Sequence, residues 1–97
     1  MKSIIPGGNE KECWFCGRTD QVEKHHCIHG VANRAHADKY GLVVYLCPDC
    51  HRGTDGVHGK RGHDRDLTLK KVAQRAFEQT RSREEFRAVF GKSYLED

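Results

Sequence analysis

The sequence has no long hydrophobic run and few of the residues that build a large core. Of its 97 residues, 36% are hydrophobic and 8% aromatic, with one methionine and one tryptophan. A membrane-spanning helix needs about 18 or more consecutive apolar residues, so the absence of such a run excludes one. The length excludes a large multidomain enzyme. We therefore expect one small domain that needs stabilisation beyond its apolar core.

Signals for export and for disulfide bonding are also absent. The N-terminus lacks the apolar stretch of roughly 7–15 residues that a secretory signal contains. The five cysteines cannot all pair internally, and a cytosolic chain keeps its thiols reduced. We expect a cytoplasmic protein with no membrane association, whose cysteines bind metal. The formal net charge of +3 permits nucleic acid as a partner but does not by itself indicate one.

Two C-x₂-C units predict a structural zinc site. A two-residue spacer lets both sulfurs of a tight turn face one ion, and four thiolates close a tetrahedral shell. The predicted Zn²⁺ ligands are Cys13, Cys16, Cys47 and Cys50. The alternative is that these cysteines are free thiols that only pack. The fifth cysteine, Cys27, is expected to be a small strand residue and not a ligand.

The insert between the two C-x₂-C units is long and rich in histidine. Thirty residues separate Cys16 from Cys47, whereas a zinc ribbon has about 15–20 there. His25 and His26 lie in the insert, and His51 directly follows the second unit. Joining the units around zinc brings these histidines together, which suits a second divalent ion with open positions. Such an ion beside a free imidazole can hydrolyse a phosphodiester.

The chain is expected to form one domain after a short lead-in. Residues 1–12 are polar and predict a flexible N-terminal lead-in. The remaining residues form a metal-binding part at 13–66 and a helical part at 67–97. The β-branched run Val43–Leu46 predicts a strand, and Gln21–Ile28 is a weaker candidate for another.

Two C-terminal helices are predicted from apolar spacing and capping residues. The first has an apolar stripe formed by Leu69, Val72, Ala73, Ala76 and Phe77. Asp66 or Thr68 is expected to cap its start. The second follows the capping box that begins at Ser82 and is expected to stop at Gly91.

The order C-x₂-C, His-His, Asn, C-x₂-C-His resembles the HNH (His-Me finger) endonucleases. The similarity is greatest to small phage and prophage members, including the recombination-enhancement, RecA-dependent nucleases. The segments that carry it are His25-His26, Gly30–Arg34, Tyr40–Leu42, Leu46-Cys47, Cys50-His51 and Gly56–His58. The resemblance implies an α+β fold with a zinc-stapled ββα-metal (treble-clef-like) motif, followed by the two C-terminal helices.

The resemblance also implies a role for each matching histidine. His25 corresponds to a metal ligand, and His26 corresponds to the general base that activates the attacking water. His51 corresponds to the metal-binding histidine at the start of the motif's helix. His58 is expected to be a further ligand of the catalytic ion. The other three histidines, His29, His36 and His63, are expected on the surface.

The middle asparagine departs from the family pattern. Many relatives have it about five residues before the second C-x₂-C unit, where this chain has Leu42. Asn33 is the nearest substitute, and we assign it the role of orienting the base. In a regular strand His25 and His26 would face opposite sides. The pair is therefore expected to lie at an irregular strand end or to reach one site from two directions.

Basic residues near the predicted site are candidates for binding DNA phosphates. Arg34 lies in the insert, and four more basic residues lie in a loop expected to be flexible because glycine recurs in it: Arg52, Lys60, Arg61 and Arg65. Glycine gives such a loop adaptability, and lysine and arginine release counterions from DNA. The alternative is that these charges only maintain solubility.

The sequence thus predicts a metal-dependent HNH endonuclease that hydrolyses DNA phosphodiester bonds in a bacterial host, encoded by a phage or prophage. The expected cofactors are structural Zn²⁺ and a catalytic divalent ion, Mg²⁺ first, with Mn²⁺, Ni²⁺ or Zn²⁺ as alternatives. The expected partners are DNA and a recombination or phage DNA-processing protein. The alternative is a non-catalytic zinc module that binds DNA or a recombination or packaging protein.

Overall fold

The structure, a computed structural model, describes residues 3–54 and 56–95. The elements in these ranges are β1 (Glu23–His26), α1 (Val31–Tyr40), β2 (Val43–Leu46), α2 (Pro48–Arg52), α3 (His63–Phe77) and α4 (Arg83–Phe90). This small α+β arrangement confirms the α+β part of the predicted fold class, and the ββα-metal motif stays a prediction. Across the described ranges, no helix combines the length and apolar character needed to cross a bilayer.

The two strands form a short antiparallel sheet whose faces have different partners. Glu23 pairs with Leu46 and His26 pairs with Val43 at the two ends. The strand predicted at Val43–Leu46 is confirmed at both bounds, whereas the weaker candidate shortens to Glu23–His26. Side chains alternate across a strand, so positions 23 and 25 share one face and positions 24 and 26 share the other.

Helix α1 fills the insert between the strands, and its sequence pattern does not indicate a helix. Its ten residues, VANRAHADKY, contain no apolar stripe at helical spacing. A glycine lies at each end of the helix: Gly30 precedes it with φ of 108°, and Gly41 ends it with φ of 72°. Both backbone conformations are ones that glycine adopts without strain. The helix carries the chain from the end of β1 to the start of β2.

The segment before the first C-x₂-C unit packs against the sheet. The Ser3 hydroxyl donates a hydrogen bond to the Val43 carbonyl oxygen at 2.6 Å. Ile5 is buried in the core, with 2% of its surface exposed. The lead-in expected over residues 1–12 therefore contributes Ile5 to the small core, and its flexibility stays a prediction. The first two residues lie outside the described residues.

Helix α3 starts earlier than its capping residues predicted. It begins at His63, after Gly62, so neither Asp66 nor Thr68 caps it. The Thr68 hydroxyl instead donates to the Asp64 carbonyl oxygen within the helix, at 2.8 Å. The helix also crosses the boundary expected between residues 66 and 67. The metal-binding and helical parts therefore share one continuous element.

Helix α4 follows its predicted capping signals. The Glu85 backbone N–H donates to the Ser82 hydroxyl oxygen at 3.1 Å. Gly91 ends the helix with φ of 89°. Its Phe86 ring lies with its centroid 5.3 Å from that of Phe77 on α3. This aromatic contact joins the two predicted C-terminal helices.

The loop between α2 and α3 is wound tightly by glycines at every third position. The N–H of Gly56 donates to the Gly53 carbonyl at 2.9 Å, and the N–H of Gly59 donates to the Gly56 carbonyl at 2.8 Å. The N–H of Gly62 donates to the Gly59 carbonyl at 3.2 Å. A Cβ atom at Gly62 would collide with the Gly56 carbonyl oxygen. The expectation of a flexible loop is therefore wrong: close packing of backbone on backbone requires these glycines.

Two further backbone hydrogen bonds attach this glycine-wound loop to α2. The Val57 N–H donates to the Cys50 carbonyl at 2.8 Å, and the His58 N–H donates to the His51 carbonyl at 3.0 Å. Val57 is buried, with 6% of its surface exposed. The loop consequently fixes the position of His58 relative to His51.

We predict that Gly62→Ala destabilises the zinc-loaded protein by about 1–3 kcal/mol, because the added methyl group overpacks the loop. The measurement is the free energy of unfolding by chemical denaturation. Lys60→Ala is the matched control, since Lys60 is exposed in the same loop, and its effect is expected within about 0.5 kcal/mol. Equal stability of the two variants would contradict a tightly packed loop.

Candidate functional site

The four cysteines of the C-x₂-C units meet in one cluster that could hold zinc. Their Sγ atoms all lie within 4.8 Å of one another. The Sγ atoms of Cys16 and Cys47 are 3.6 Å apart, close to the edge of about 3.8 Å expected for a tetrahedron with Zn–S bonds of about 2.3 Å. Cys47 also caps α2, accepting from the Cys50 N–H at 3.5 Å. Cys27 is fully buried directly after β1, outside this cluster.

The surroundings of the cysteine cluster favour a thiolate at Cys13 and oppose one at Cys50. Burial opposes ionisation of Cys13, but three backbone N–H groups outweigh it and lower the pKa of Cys13 to about 6. Burial and the neighbouring thiols together raise the pKa of Cys50 to about 12. Arg65 reaches the cluster with its Nη1 atom 3.5 Å from the Cys50 Sγ. Ionising all four thiols therefore requires a cation such as zinc.

A second cluster is formed by His25 from β1, His51 from α2 and His58 from the glycine-wound loop. One ring nitrogen of each lies within 4.8 Å of the others. The ring centroids of His51 and His58 are 4.9 Å apart. His25 is 2% exposed, and its Nε2 atom has no hydrogen-bond partner among the described residues. A buried nitrogen without a partner is costly, and a metal ion at this position would satisfy it.

Electrostatics favour the neutral form of two members of this cluster, His25 and His58. Burial, reinforced by the neighbouring imidazoles, lowers the pKa of His25 to about 3. Burial, reinforced by the neighbouring imidazoles, also lowers the pKa of His58. A neutral imidazole offers a lone pair to a metal, whereas a protonated one does not. Both side chains are therefore available as ligands at neutral pH.

His51 is held by a carboxylate that sequence reasoning missed. Its Nδ1 atom lies 2.7 Å from Oε1 of Glu23, and Oε2 of the same carboxylate accepts from Arg52 at 2.7 Å. With Nδ1 engaged, only Nε2 remains to bind a metal. Glu23 shares its face of β1 with His25. The alternation of that strand is the only sequence signal that could have associated Glu23 with the cluster.

The opposite face of β1 contacts α1. The Nε2 atom of His26 lies 3.0 Å from Oδ1 of Asp38, and Nζ of Lys24 lies 3.1 Å from the same oxygen. Burial raises the pKa of Asp38, but its contacts with His26 and Lys24 outweigh burial and lower it. His25 and His26 therefore do face opposite sides, as the geometry of a regular strand requires.

His29 belongs to the same region, although it was expected on the surface. Its Nε2 atom lies 3.0 Å from Oδ1 of Asp66, and its ring centroid is 5.3 Å from that of His58. Asp66 is a buried carboxylate of α3 that also pairs with Lys70 at 2.9 Å. His29 keeps 35% of its side chain exposed, and α3, which starts at residue 63, brings Asp66 beneath it.

These side chains surround a cavity of about 250 Å³. Five histidines, Lys24 and Arg34 line it, with no acidic residue among them. A neighbouring cavity of about 590 Å³ shares His26 and Arg34 with it. Asn33 lies half-buried in the first turn of α1 and lines neither cavity. The structure thus brings the predicted histidines to one place and leaves Asn33 outside it.

The other predicted DNA-contacting residues are dispersed. Arg52 is paired with Glu23, and Arg65 lies against the cysteine cluster. Lys60 and Arg61 are exposed on the glycine-wound loop. Of the five basic candidates, Arg34 is the one that lines the histidine cavity. Contact of the others with DNA stays a prediction.

No protein-family model, curated protein or solved structure matches this chain. The case for its function therefore rests on the arrangement of its own side chains.

We predict that Cys47→Ser lowers zinc content below one ion per chain and unfolds most of the protein, because structural zinc supplies folding free energy. Zinc can be counted by dye release and folding followed by circular dichroism. Cys27→Ala is the matched control: it removes a buried cysteine outside the cluster and is expected to retain one structural zinc. A folded, zinc-free Cys47→Ser protein would contradict the structural role.

Proposed function

We propose that this protein is an HNH-type, metal-dependent endonuclease that hydrolyses DNA phosphodiester bonds. The observation that carries the proposal is the histidine cavity. There, three imidazoles that could hold one ion lie beside His26, which is held by a carboxylate, and two basic side chains. A phosphodiester nuclease needs a metal site, a separate base and cationic groups for the phosphate. All three kinds of group line this cavity.

The donor set favours a first-row transition ion at the histidine cluster. Imidazole ligands suit Zn²⁺, Ni²⁺ and related ions, whereas Mg²⁺ prefers carboxylate and water oxygens. No carboxylate lines the cavity among the described residues. We therefore place Zn²⁺ and Ni²⁺ before Mn²⁺ and Mg²⁺, whereas the sequence alone favours Mg²⁺. When bound, the ion supplies charge stabilisation to the phosphate and the leaving oxygen.

The residues of the chain perform the remaining steps. His26 accepts a proton from the attacking water as that water approaches phosphorus. Arg34 and Lys24 bind the phosphate oxygens and hold the diester in the cavity. The exposed Lys60 and Arg61 extend the basic surface along the glycine-wound loop. This surface fits an extended polyanion better than a small phosphate ester.

A non-catalytic zinc module that binds DNA or a recombination or packaging protein is the second candidate. It requires the cysteine cluster, which the observed sulfur distances support, and makes no demand on the histidines. A component that cuts only with a partner is a third candidate, in keeping with the resemblance to RecA-dependent nucleases. Metal content separates the first two: the binding module takes up one ion per chain and the nuclease two.

We predict that His26→Ala lowers cleavage of supercoiled plasmid by at least about 100-fold, because a general base contributes about 10²–10⁴-fold. The variant is expected to stay folded and zinc-loaded. The assay compares plasmid nicking with Zn²⁺, Ni²⁺, Mn²⁺ and Mg²⁺.

His63→Ala is the control, since His63 is an exposed histidine at the start of α3. Full activity in His26→Ala would disprove the assignment of the base. A wild-type protein that binds plasmid but never nicks it would favour the zinc module instead.

We predict that Glu23→Gln weakens Ni²⁺ binding at the histidine cluster by roughly 10–100-fold, because the carboxylate orients His51. The measurement is calorimetric titration of Ni²⁺ into protein already loaded with zinc at the cysteine cluster. Glu84→Gln, at an exposed position on α4, is expected to match the wild type. Unchanged Ni²⁺ affinity in Glu23→Gln would refute the role of Glu23.

A further inference from the structure

Helix α1 presents one face to the outer side of β1. Arg34 and Asp38 are one turn apart on this helix, so their side chains lie on the same face. Both line the second cavity together with His26. Asn33 is five positions before Asp38, about 140° around the helix from it. The group that α1 places against His26 is therefore a carboxylate and not the Asn33 amide.

The contact between His26 and Asp38 is shielded from water. The Nε2 atom of His26 and the Oδ1 atom of Asp38 are both buried. They lie 3.0 Å apart, and Nζ of Lys24 lies 3.1 Å from the same oxygen. Neither buried atom makes an aligned hydrogen bond, to the other or to any further described residue. Buried polar atoms without partners are rare because their desolvation is uncompensated. A turn of the His26 ring that points an Nε2–H at Oδ1 satisfies both atoms across this distance.

We propose that Asp38 is the residue that positions His26, by accepting a hydrogen bond from Nε2–H so that Nδ1 is left to receive a proton. The proposal rests on the proposed function and assigns to Asp38 the orienting role that the sequence gave to Asn33.

The carboxylate selects one of the two neutral forms of the imidazole. If the proton were on Nδ1, the Nε2 lone pair would face the lone pairs of Asp38 at 3.0 Å, which is repulsive. The proton therefore stays on Nε2, and Nδ1 carries the lone pair. When Nδ1 takes a proton from water, the oxygen of that water bonds to phosphorus, the bond between phosphorus and the leaving oxygen breaks, and His26 becomes an imidazolium. The leaving oxygen takes a proton from solvent, and the imidazolium later returns its own proton to solvent. The negative Asp38 stabilises that cation.

The same strand therefore divides two tasks between its faces. On one face, Glu23 and His25 lie against His51. On the other face, Lys24 and His26 lie against Asp38. A change at Asp38 should consequently affect the base without altering the metal cluster. This separation makes the role of Asp38 testable independently of metal binding.

The first test is spectroscopic and requires no cleavage. Long-range ¹H–¹⁵N spectra of the imidazoles are recorded on zinc-loaded protein at pH 7.5, and the His26 signals are assigned by their loss in His26→Ala. Wild type is expected to show His26 protonated at Nε2. Asp38→Ala is expected to give a mixture of the two neutral forms, whereas Asp38→Asn, which keeps an acceptor oxygen, retains the Nε2–H form.

The second test is kinetic, with supercoiled plasmid and Ni²⁺. Asp38→Ala is expected to lower kcat on the order of 10–100-fold with KM and Ni²⁺ affinity within about twofold of wild type. Asp38→Asn should fall between the two, because it orients the ring but lacks the charge. Asp64→Ala, an exposed acidic residue of α3, is the control.

The outcomes distinguish this proposal from the proposed function. Unchanged His26 signals in Asp38→Ala overturn it, as does a shift of those signals in Asn33→Ala instead. If the signals change as expected but no protein cuts plasmid, Asp38 still positions His26 and the nuclease assignment alone fails. If Asp38→Ala loses Ni²⁺ affinity in parallel with activity, its role is structural and the proposal is wrong.

Discussion

The convergence of the two C-x₂-C units is the constraint on which the rest of the structure depends. The cysteine cluster closes an insert of thirty residues, and the pairing of β1 with β2 lies directly beside it. His51 follows Cys50 without a spacer, so the geometry of the sulfur atoms also fixes where His51 stands. A small apolar core could not hold these segments together without such a closure.

The two faces of β1 give its adjacent histidines different neighbours. Because side chains alternate along the strand, His25 faces α2 and contacts the imidazole of His51. His26 faces α1 and contacts the carboxylate of Asp38. The buried face excludes water and keeps His25 neutral, while the other face is partly open. A helix segment in place of β1 would put adjacent side chains about 100° apart and could not divide them this way.

The features that could be predicted are those that depend on residues close together in the sequence. The C-x₂-C units, the β-branched run at Val43–Leu46 and the capping box at Ser82 each act through neighbours in the chain, and the structure confirms them. The contacts of Glu23 and Asp38 could not be predicted, because they join residues on different elements. The sequence of α1 has no apolar stripe, so it did not indicate which face of the helix packs on the sheet or that Asp38 lies on that face.

The glycine-wound loop has a consequence for how such a protein can diversify. Its backbone packs so closely that a side chain at the glycine positions would collide with it. The positions that lie between these glycines in the sequence include Thr54, Lys60 and Arg61, which are exposed. Substitution at these outward positions leaves the hydrogen bond that places His58 intact. The loop thus joins a backbone that tolerates only glycine at its contact points to exposed positions that can change without moving His58.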